Sequence, residues 1–321
     1  MTSRRSRRAS RVPRVPVALG AALGVLLDAR FGEVPIEPHP VAAFGSTMQA
    51  YERRSYDGTR AGGVTHAAVG VGLGIGAGAL LGRRVGATTA ATFVAVAGRG
   101  LGDAALLVGE ALAVGDLDRA RHAVQSLVGR DPWALGQADI VRAVVESVAE
   151  NTVDAVVAPA CWAALAGAPG ALGYRAVNTL DAMVGHRSAR YAEYGWASAR
   201  LDDGANGVPA RLTAALVVAV RPAAAASVLR AVRHDAPDHP SPNSGVAEAA
   251  FAAALGLRLG GESRYGDRVE LRPTLGDGRP PEPADIARAV ALSADVGLAV
   301  AGLLTAAGTA LALSRWSRWS R

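Results

Sequence analysis

The carboxylates best placed to carry chemistry lie in the middle third of the 321-residue chain. Glu146 and Glu150 are four residues apart and share one face of a predicted helix, which Asp154 joins if the helix continues. Like charges at this spacing repel each other, so a Mg²⁺ ion or a set of arginines would stabilise them. A solvated acidic face is the alternative interpretation. However, the acids run directly into apolar residues 156–166, where ionisable groups are costly and usually functional.

A second polar stretch adds acids, arginines and aromatic rings between residues 178 and 211. The adjacent Asp202 and Asp203 could bind a metal ion or cap a helix that starts near Gly207. Arginines could hold phosphates in bidentate pairs, and the rings could stack on a planar ligand or form a membrane-interface belt. The candidates in this stretch are Asn178, Asp181, His186, Arg187, Tyr191, Tyr194, Trp196, Arg200, Asp202, Asp203 and Arg211.

Two histidines are flanked by prolines, which favour rigid extended turns: His39 lies between two prolines, and His239 opens the loop that contains Asn243. The glycine-rich residues 98–103 resemble a turn entering a helix that could bind a phosphate. No histidine has a partner at zinc-site spacing, and the single cysteine, Cys161, lies among apolar residues. We therefore expect no zinc site, no disulfide and no hydrolase triad.

The chain has no lysine, so all 34 basic residues are arginine. This excludes a Walker-type phosphate loop and a Schiff-base lysine. The net charge of +6 is matched by six arginines within residues 1–14, so the remainder of the chain is neutral and no nucleic-acid surface is expected. Residues 1–14 are predicted to form a cytoplasmic tail, 15–313 a single membrane-embedded domain and 314–321 a second tail rich in arginine and tryptophan.

Several stretches are more apolar than a soluble protein requires. We predict an all-α, polytopic integral membrane protein with about four to five membrane segments and polar loops between its helices. Glycines recur every fourth residue from Gly70 to Gly82 and line one helical face, which permits close contact with another helix. An extended piece is expected only near Val269. The predicted segments are residues 62–82, 85–97, 153–172, 212–229 and 296–313, the third of them broken by prolines and glycines.

Together these residues resemble one known family. The chain resembles the CobD/CbiB family of cobalamin biosynthesis over about residues 17 to 300, nearly continuously in the middle third. Two small departures are His186, where a tyrosine is common, and the small residues 204–207. The motifs that carry the resemblance are His39-Pro40-Val41, Gly129-Arg130-Asp131, residues 144–154, Val157-Ala158-Pro159, residues 176–185, residues 195–203, residues 209–213, residues 239–245 and residues 256–261.

The resemblance implies an inner-membrane, multi-pass ligase, adenosylcobinamide-phosphate synthase. Such an enzyme joins (R)-1-amino-2-propanol, or its O-phosphate, to the propionate carboxylate of adenosylcobyric acid with ATP and Mg²⁺. Its partners would be the corrinoid, the amine, the lipid bilayer and other membrane enzymes of the pathway. The alternatives are a non-catalytic AmpE-like signalling protein, which would have a similar arrangement of membrane segments, and a corrinoid carrier or scaffold.

On the ligase interpretation, each candidate residue has an expected role. The catalytic candidates are Glu146, Glu150, Asp181, Asp202, Asp203 and Arg200, and the metal candidates are Glu146, Glu150 and Asp154. The substrate-binding candidates are His39, Arg130, Asn178, Arg187, Tyr191, Trp196, Arg211 and Asn243.

Overall fold

The computed structural model describes residues 17–128, 132–186, 188–265 and 268–319. The candidates Arg130 and Arg187 and the arginine-rich tail lie outside these ranges. The described residues form thirteen α-helices, one π-helical segment, three short 3₁₀ turns and one β-hairpin. The helices are α1 (Val17–Phe31), α2 (Pro40–Ser55), α3 (Arg60–Leu81), α4 (Val85–Ala95), α5 (Gly98–Ala113), α6 (Leu117–Val124), α7 (Gln137–Thr152), α8 (Ala158–Ala166), α9 (Ala168–Val184), α10 (Trp196–Val220), α11 (Ala225–His234), α12 (Ser244–Leu255) and α13 (Pro283–Trp319).

Three stretches are long and apolar enough to cross a membrane: Arg60–Leu81, Val85–Ala113 and Pro283–Ser314. A fourth crossing is possible if the bent pair of Trp196–Val220 and Pro222–Asp238 counts as one span. The all-α, polytopic prediction is therefore confirmed, but with three or four candidate spans in the described residues where four to five were expected. Length and apolar composition are the physical basis of this assignment.

Two predicted segments differ from the structure. Residues 212–229 do not form one straight helix, because the chain bends by 111° between α10 and α11, where Arg221 is followed by Pro222. Proline lacks the N–H that would continue the helical ladder. Residues 153–172 do not form one helix long enough to span a membrane. They contain a π-helical segment (Val153–Val157), α8 and the start of α9, and the chain breaks between α8 and α9 at Gly167 (φ +71°).

The glycine stripe of α3 packs against α9. A Cβ atom added to Gly74 would lie 2.7 Å from Ala176 Cβ and 2.7 Å from the Leu172 carbonyl oxygen. One added to Gly78 would lie 2.5 Å from the Ala168 carbonyl oxygen. These distances are shorter than any normal contact, so only glycine permits this approach. The predicted close helix contact is confirmed, with α9 as the partner.

Helix α7 lies in the core. The predicted apolar face is fully buried, with Val141, Val144, Val145 and Val148 all 0% exposed. The opposite face is buried as well, since Glu146 is only 5% exposed. The alternative of a solvated acidic face is therefore wrong for Glu146.

The predicted extended piece is confirmed as the hairpin β1 (Leu259–Tyr265) and β2 (Arg268–Leu275). The strands are antiparallel, with Glu262 opposite Leu271. Leu259 and Leu275 are fully buried and anchor the base of the hairpin in the core. The hairpin also contacts α7 and α12, so it is fixed beside α7, which carries Glu146 and Glu150.

Candidate functional site

The side chain of Asn178 in α9 joins carboxylates from two other elements. Its Nδ2 donates to Asp154 Oδ2 at 3.1 Å and to Asp202 Oδ1 at 3.4 Å. Asn206, one turn beyond Asp202 in α10, donates to Asp202 Oδ2 at 2.9 Å and accepts from the Tyr174 hydroxyl at 2.8 Å. We call Asp154, Asn178, Asp202 and Asn206 the amide–acid cluster.

The π-helical segment determines the direction of Asp154. A π turn inserts an extra residue into a helix and changes the direction of the side chains around it. Here Asp154 bonds to α9 through Asn178, whereas Glu150, four residues earlier, accepts a 2.6 Å hydrogen bond from Ser244 Oγ at the start of α12. The predicted pair Glu150 and Asp154 therefore lies between α9 and α12.

Glu146 lies elsewhere. Its Oε1 accepts the backbone N–H of Gly260 at 2.9 Å, at the base of the hairpin. Glu146 thus bonds to the hairpin, whereas Glu150 bonds to Ser244 and Asp154 bonds to Asn178. In the described part of the chain, no three His, Cys, Asp or Glu side chains form a group that could hold a metal ion. The Mg²⁺ site stays a prediction.

Burial and neighbouring carboxylates change the acidity of Asp154 in the cluster and of Asp181 in α9. Burial raises the pKa of Asp181 from its ordinary value to about 7, with added contributions from the carboxylates of Asp202 and Asp203. Burial is also the main cause that raises the pKa of Asp154 well above its usual range, followed by the charge of Asp202. Asp181 can therefore accept or release a proton near neutral pH.

The loop before α12 connects further candidates to this region. Asn243 donates from Nδ2 to the Asp203 carbonyl oxygen at 2.8 Å, and its Oδ1 accepts from Arg211 at 2.7 Å. Arg200 approaches Asp203 at 3.7 Å and is largely exposed. The structure thus brings Asp203, Arg211 and Asn243 into one hydrogen-bonded chain beside the amide–acid cluster, with Arg200 at its exposed edge.

The aromatic candidates have different surroundings. Tyr194 is fully buried and packs against the His66 ring at 5.4 Å, so it offers no face to a ligand. The Tyr191 hydroxyl donates to Glu52 at 2.8 Å, and His186 meets the Tyr191 ring edge-on at 4.9 Å. Trp196 is 43% exposed, with the Arg60 guanidinium 5.5 Å from its ring centroid. Of these rings, Trp196 is the one most available for stacking.

The glycine-rich turn at residues 98–103 does not present an open anion site. Asp28 Oδ2 accepts the backbone N–H of Arg99 at 3.1 Å, at the start of α5. A carboxylate therefore already occupies the position that a phosphate would take at this helix N-terminus. The expectation of a phosphate site at this turn is not supported by the geometry.

Sequence reasoning missed two residues near the site. Arg175, one turn before Asn178 in α9, donates from Nη1 to Asn178 Oδ1 at 3.4 Å. Glu52 is buried and accepts hydrogen bonds from Tyr191 and, at 3.0 Å, from Arg190. The signal for Arg175 was its spacing of three residues from Asn178, which places both on one helical face.

Comparison with known proteins gives one consistent family. The family model described as CobD/Cbib protein matches residues 21–293. The cobalamin biosynthesis protein CobD of Mycobacterium tuberculosis (strain ATCC 25618 / H37Rv) is 49% identical over 285 residues, covering 86% of this chain and 91% of that protein.

Other relatives carry the same description. The CobD protein of Geobacter metallireducens is 42% identical over 276 residues, covering 81% of this chain and 86% of the relative. That of Rhodobacter capsulatus is 49% identical over 209 residues, covering 65% and 66% respectively. No solved structure matches this chain.

Proposed function

The chain belongs to the CobD/CbiB family of cobalamin biosynthesis proteins, and we propose that it is the membrane ligase that forms adenosylcobinamide or its phosphate. The reaction joins the propionate carboxylate of adenosylcobyric acid to (R)-1-amino-2-propanol or its O-phosphate. The observation that carries the proposal is the contact of Asp154 and Asp202 with one Asn178 amide, within the stretch where the family resemblance is nearly continuous.

An unactivated carboxylate does not form an amide spontaneously in water, so ATP is the proposed source of activation. The substrate carboxylate attacks the γ-phosphorus of ATP and ADP leaves, giving an acyl phosphate. The amine nitrogen then attacks the acyl carbon, phosphate leaves and the nitrogen loses a proton. Phosphoryl transfer of this kind depends on charge neutralisation and positioning.

Mg²⁺ is the proposed cofactor, and the oxygen donors of the site fit it. Mg²⁺ commonly takes one or two protein carboxylates and completes its shell with water and substrate phosphates. Asp154 and Asp202, which share the Asn178 donor, are the candidates for this role together with Glu150. When bound, the ion would neutralise phosphate charge during activation. Arg200 and Arg211 are the proposed phosphate-binding cations.

The amine must be neutral to attack, so the site needs a base. Asp181 is the best candidate, because burial and its acidic neighbours raise its pKa to about 7. At neutral pH a large fraction of such a group is ionised and can take the proton of an incoming ammonium. Trp196 is proposed to contact the corrinoid plane from the exposed edge of the site.

The test uses full-length protein in lipid vesicles with adenosylcobyric acid, Mg-ATP and each amine separately. We expect a corrinoid amide of the correct mass and one nucleotide cleaved per amide formed. Asp202→Asn should lose turnover, whereas Asp277→Asn, a matched change at an exposed acid, should not. Corrinoid binding without product from either amine would overturn the ligase and favour a carrier, scaffold or AmpE-like role.

A further inference from the structure

A cavity of about 510 Å³ opens between α2 and α9, beside the amide–acid cluster. It is large enough for a small metabolite and far too small for a corrin macrocycle with its side chains. Arg175 connects the two regions, because its side chain lines the cavity and also donates to Asn178. The lining residues that matter here are Glu33, His39, Gly45, Gln49, Arg175 and Thr179.

Arg175 is partly buried and makes no salt bridge with any described residue. Its Nε is buried and has no hydrogen-bond partner. Its Nη1 donates to the neutral Asn178 amide at 3.4 Å, and no carboxylate of the described residues lies within 4.0 Å of it. Buried charges in proteins are usually paired, because the desolvation penalty is otherwise large. The missing partner points to a ligand.

His39, at the start of α2, adds a second donor to the cavity lining. Its Nδ1 accepts the Val41 N–H at 3.3 Å as the N-cap of α2, which leaves Nε2 to carry the proton of the neutral ring. Val41 and Ala42, in the first turn of α2, also line the cavity. The positive end of that helix dipole therefore reinforces the charge of Arg175.

Glu33 is the one acid among the lining residues. A cavity with one cation, one neutral donor and one carboxylate suits a small zwitterion better than a simple anion. A phosphate would contact Arg175 and His39, while an ammonium would enter past Glu33. Bidentate contact with a planar guanidinium is a favoured geometry for phosphate oxygens.

We propose that this cavity binds the smaller substrate as an amino-alcohol phosphate monoester, with Arg175 and His39 contacting the phosphate. This inference rests on the proposed ligase function and assigns its amine site. Because Arg175 also bonds Asn178, occupancy of the cavity orients the amide that holds Asp154 and Asp202. Binding of the smaller substrate would in this way be coupled to the geometry of the acids.

The test compares KM for aminopropanol O-phosphate and for free aminopropanol in vesicle-reconstituted protein. We expect Arg175→Gln to raise KM for the phosphate by about 10- to 100-fold, the range for losing a hydrogen bond to a charged group. KM for the free amine should change by less than about threefold. Arg53→Gln, on the exposed part of α2, is the matched control. Equal changes for both amines, or no change, would overturn the proposal.

A second variant covers the case in which Arg175→Gln does not fold. A Cβ atom added to Gly45 would meet only Thr179 Cγ2, at 4.0 Å, so Gly45→Val should fold while it narrows the cavity. Calorimetry with aminopropanol O-phosphate alone needs neither corrinoid nor ATP, so it separates this proposal from the ligase function. We expect weaker binding in Gly45→Val by about tenfold or more, and weaker binding of inorganic phosphate than of the zwitterion to the wild type. Equal affinity of wild type and variant would overturn the cavity assignment.

Discussion

The side-chain amide of Asn178 lies 3.1 Å from Asp154 Oδ2 and joins α9 to the π-helical turn after α7. Each Nδ2 hydrogen is a donor, and a second contact reaches Asp202 at 3.4 Å. One neutral side chain thus holds two acids that would otherwise repel. This arrangement keeps carboxylates from the π-helical segment and α10 close together, as the proposed reaction requires.

Replacing Asn178 by Asp tests this role. The change removes the donor and adds another negative charge beside Asp154 and Asp202, so we expect turnover to fall by at least about 100-fold. Gln137→Glu makes the same amide-to-acid change at an exposed position in the first turn of α7 and should retain wild-type rate. Amide formation is measured by mass spectrometry in vesicles. Full activity of Asn178→Asp would show that the contact is incidental.

Asp181 should make stability depend on pH. Its pKa is about 7 in the folded protein and near 3.8 when unfolded, so the folded state binds more protons between these values. Its contribution to stability is present below pH 4 and is lost as pH rises to about 7. Asp181→Asn has no carboxyl group at this position, so its stability does not fall over this pH range. The Tm of the variant minus the Tm of wild type should therefore be larger at pH 8 than at pH 5, by roughly 2–4 °C. Parallel Tm profiles would contradict the raised pKa.

The same group should shape the pH profile of the reaction. If Asp181 takes the proton of the attacking amine, kcat/KM rises with pH through about 7, because only the carboxylate accepts a proton. Asp181→Asn should lose most activity and also this limb of the profile. A mutant that keeps an identical pH dependence would exclude Asp181 as the base and leave His39 or His186 to be tested.

Some of this architecture can be predicted from sequence because it is encoded locally. The apolar runs of α3 and α13 and the valine face of α7 depend on hydropathy and helical period alone. The 111° bend after α10 has a local cause in Pro222, which the apolar run of residues 212–229 obscured. The π turn before α8 has no local sequence pattern and was not predicted. The family motif made Asn178 a substrate-binding candidate but did not show that its side chain contacts Asp154 and Asp202.

The separation of Glu146 from Glu150 illustrates the same limit at the site. Their spacing placed them on one face, but α7 is buried on several sides, and each carboxylate contacts a different neighbouring element. Arg175 was missed because its three-residue spacing from Asn178 does not show which atoms either side chain contacts. Its importance appears only when the cavity and its unpaired Nε are seen together.

The contact between α3 and α9 predicts a sharp difference between two glycines. Gly74→Ala would place a Cβ 2.7 Å from Ala176 Cβ, so we expect a loss of about 1–3 kcal/mol of stability from overpacking. Gly76→Ala, two residues away, has no atom within 4 Å of the added Cβ and should be neutral. Thermal unfolding in detergent measures both. Because α9 carries Asn178 and Asp181, Gly74→Ala should also lower activity.

Because Glu146 and Glu150 contact different parts of the fold, we expect their substitution to have different effects on turnover. Glu146 Oε1 accepts the Gly260 N–H at the base of the hairpin, so Glu146→Gln should weaken that contact and speed hydrogen exchange in Leu259–Leu275. We expect its kcat to stay within about fivefold of wild type, because its hydrogen bond to Gly260 ties it to the hairpin, whereas the amide–acid cluster is built from α9, α10 and the π-helical segment.

Glu150 accepts from Ser244 beside the cluster, so Glu150→Gln should instead lower kcat by about 100-fold or more and leave hairpin exchange unchanged. The measurements are steady-state kinetics and peptide-resolved hydrogen exchange on the same vesicle preparations. Glu146→Gln could instead lose as much turnover as Glu150→Gln while hydrogen exchange in the hairpin stays normal. That result would show that Glu146 takes part in the reaction. The matched pair therefore distinguishes an acid that holds the fold from one that takes part in the reaction.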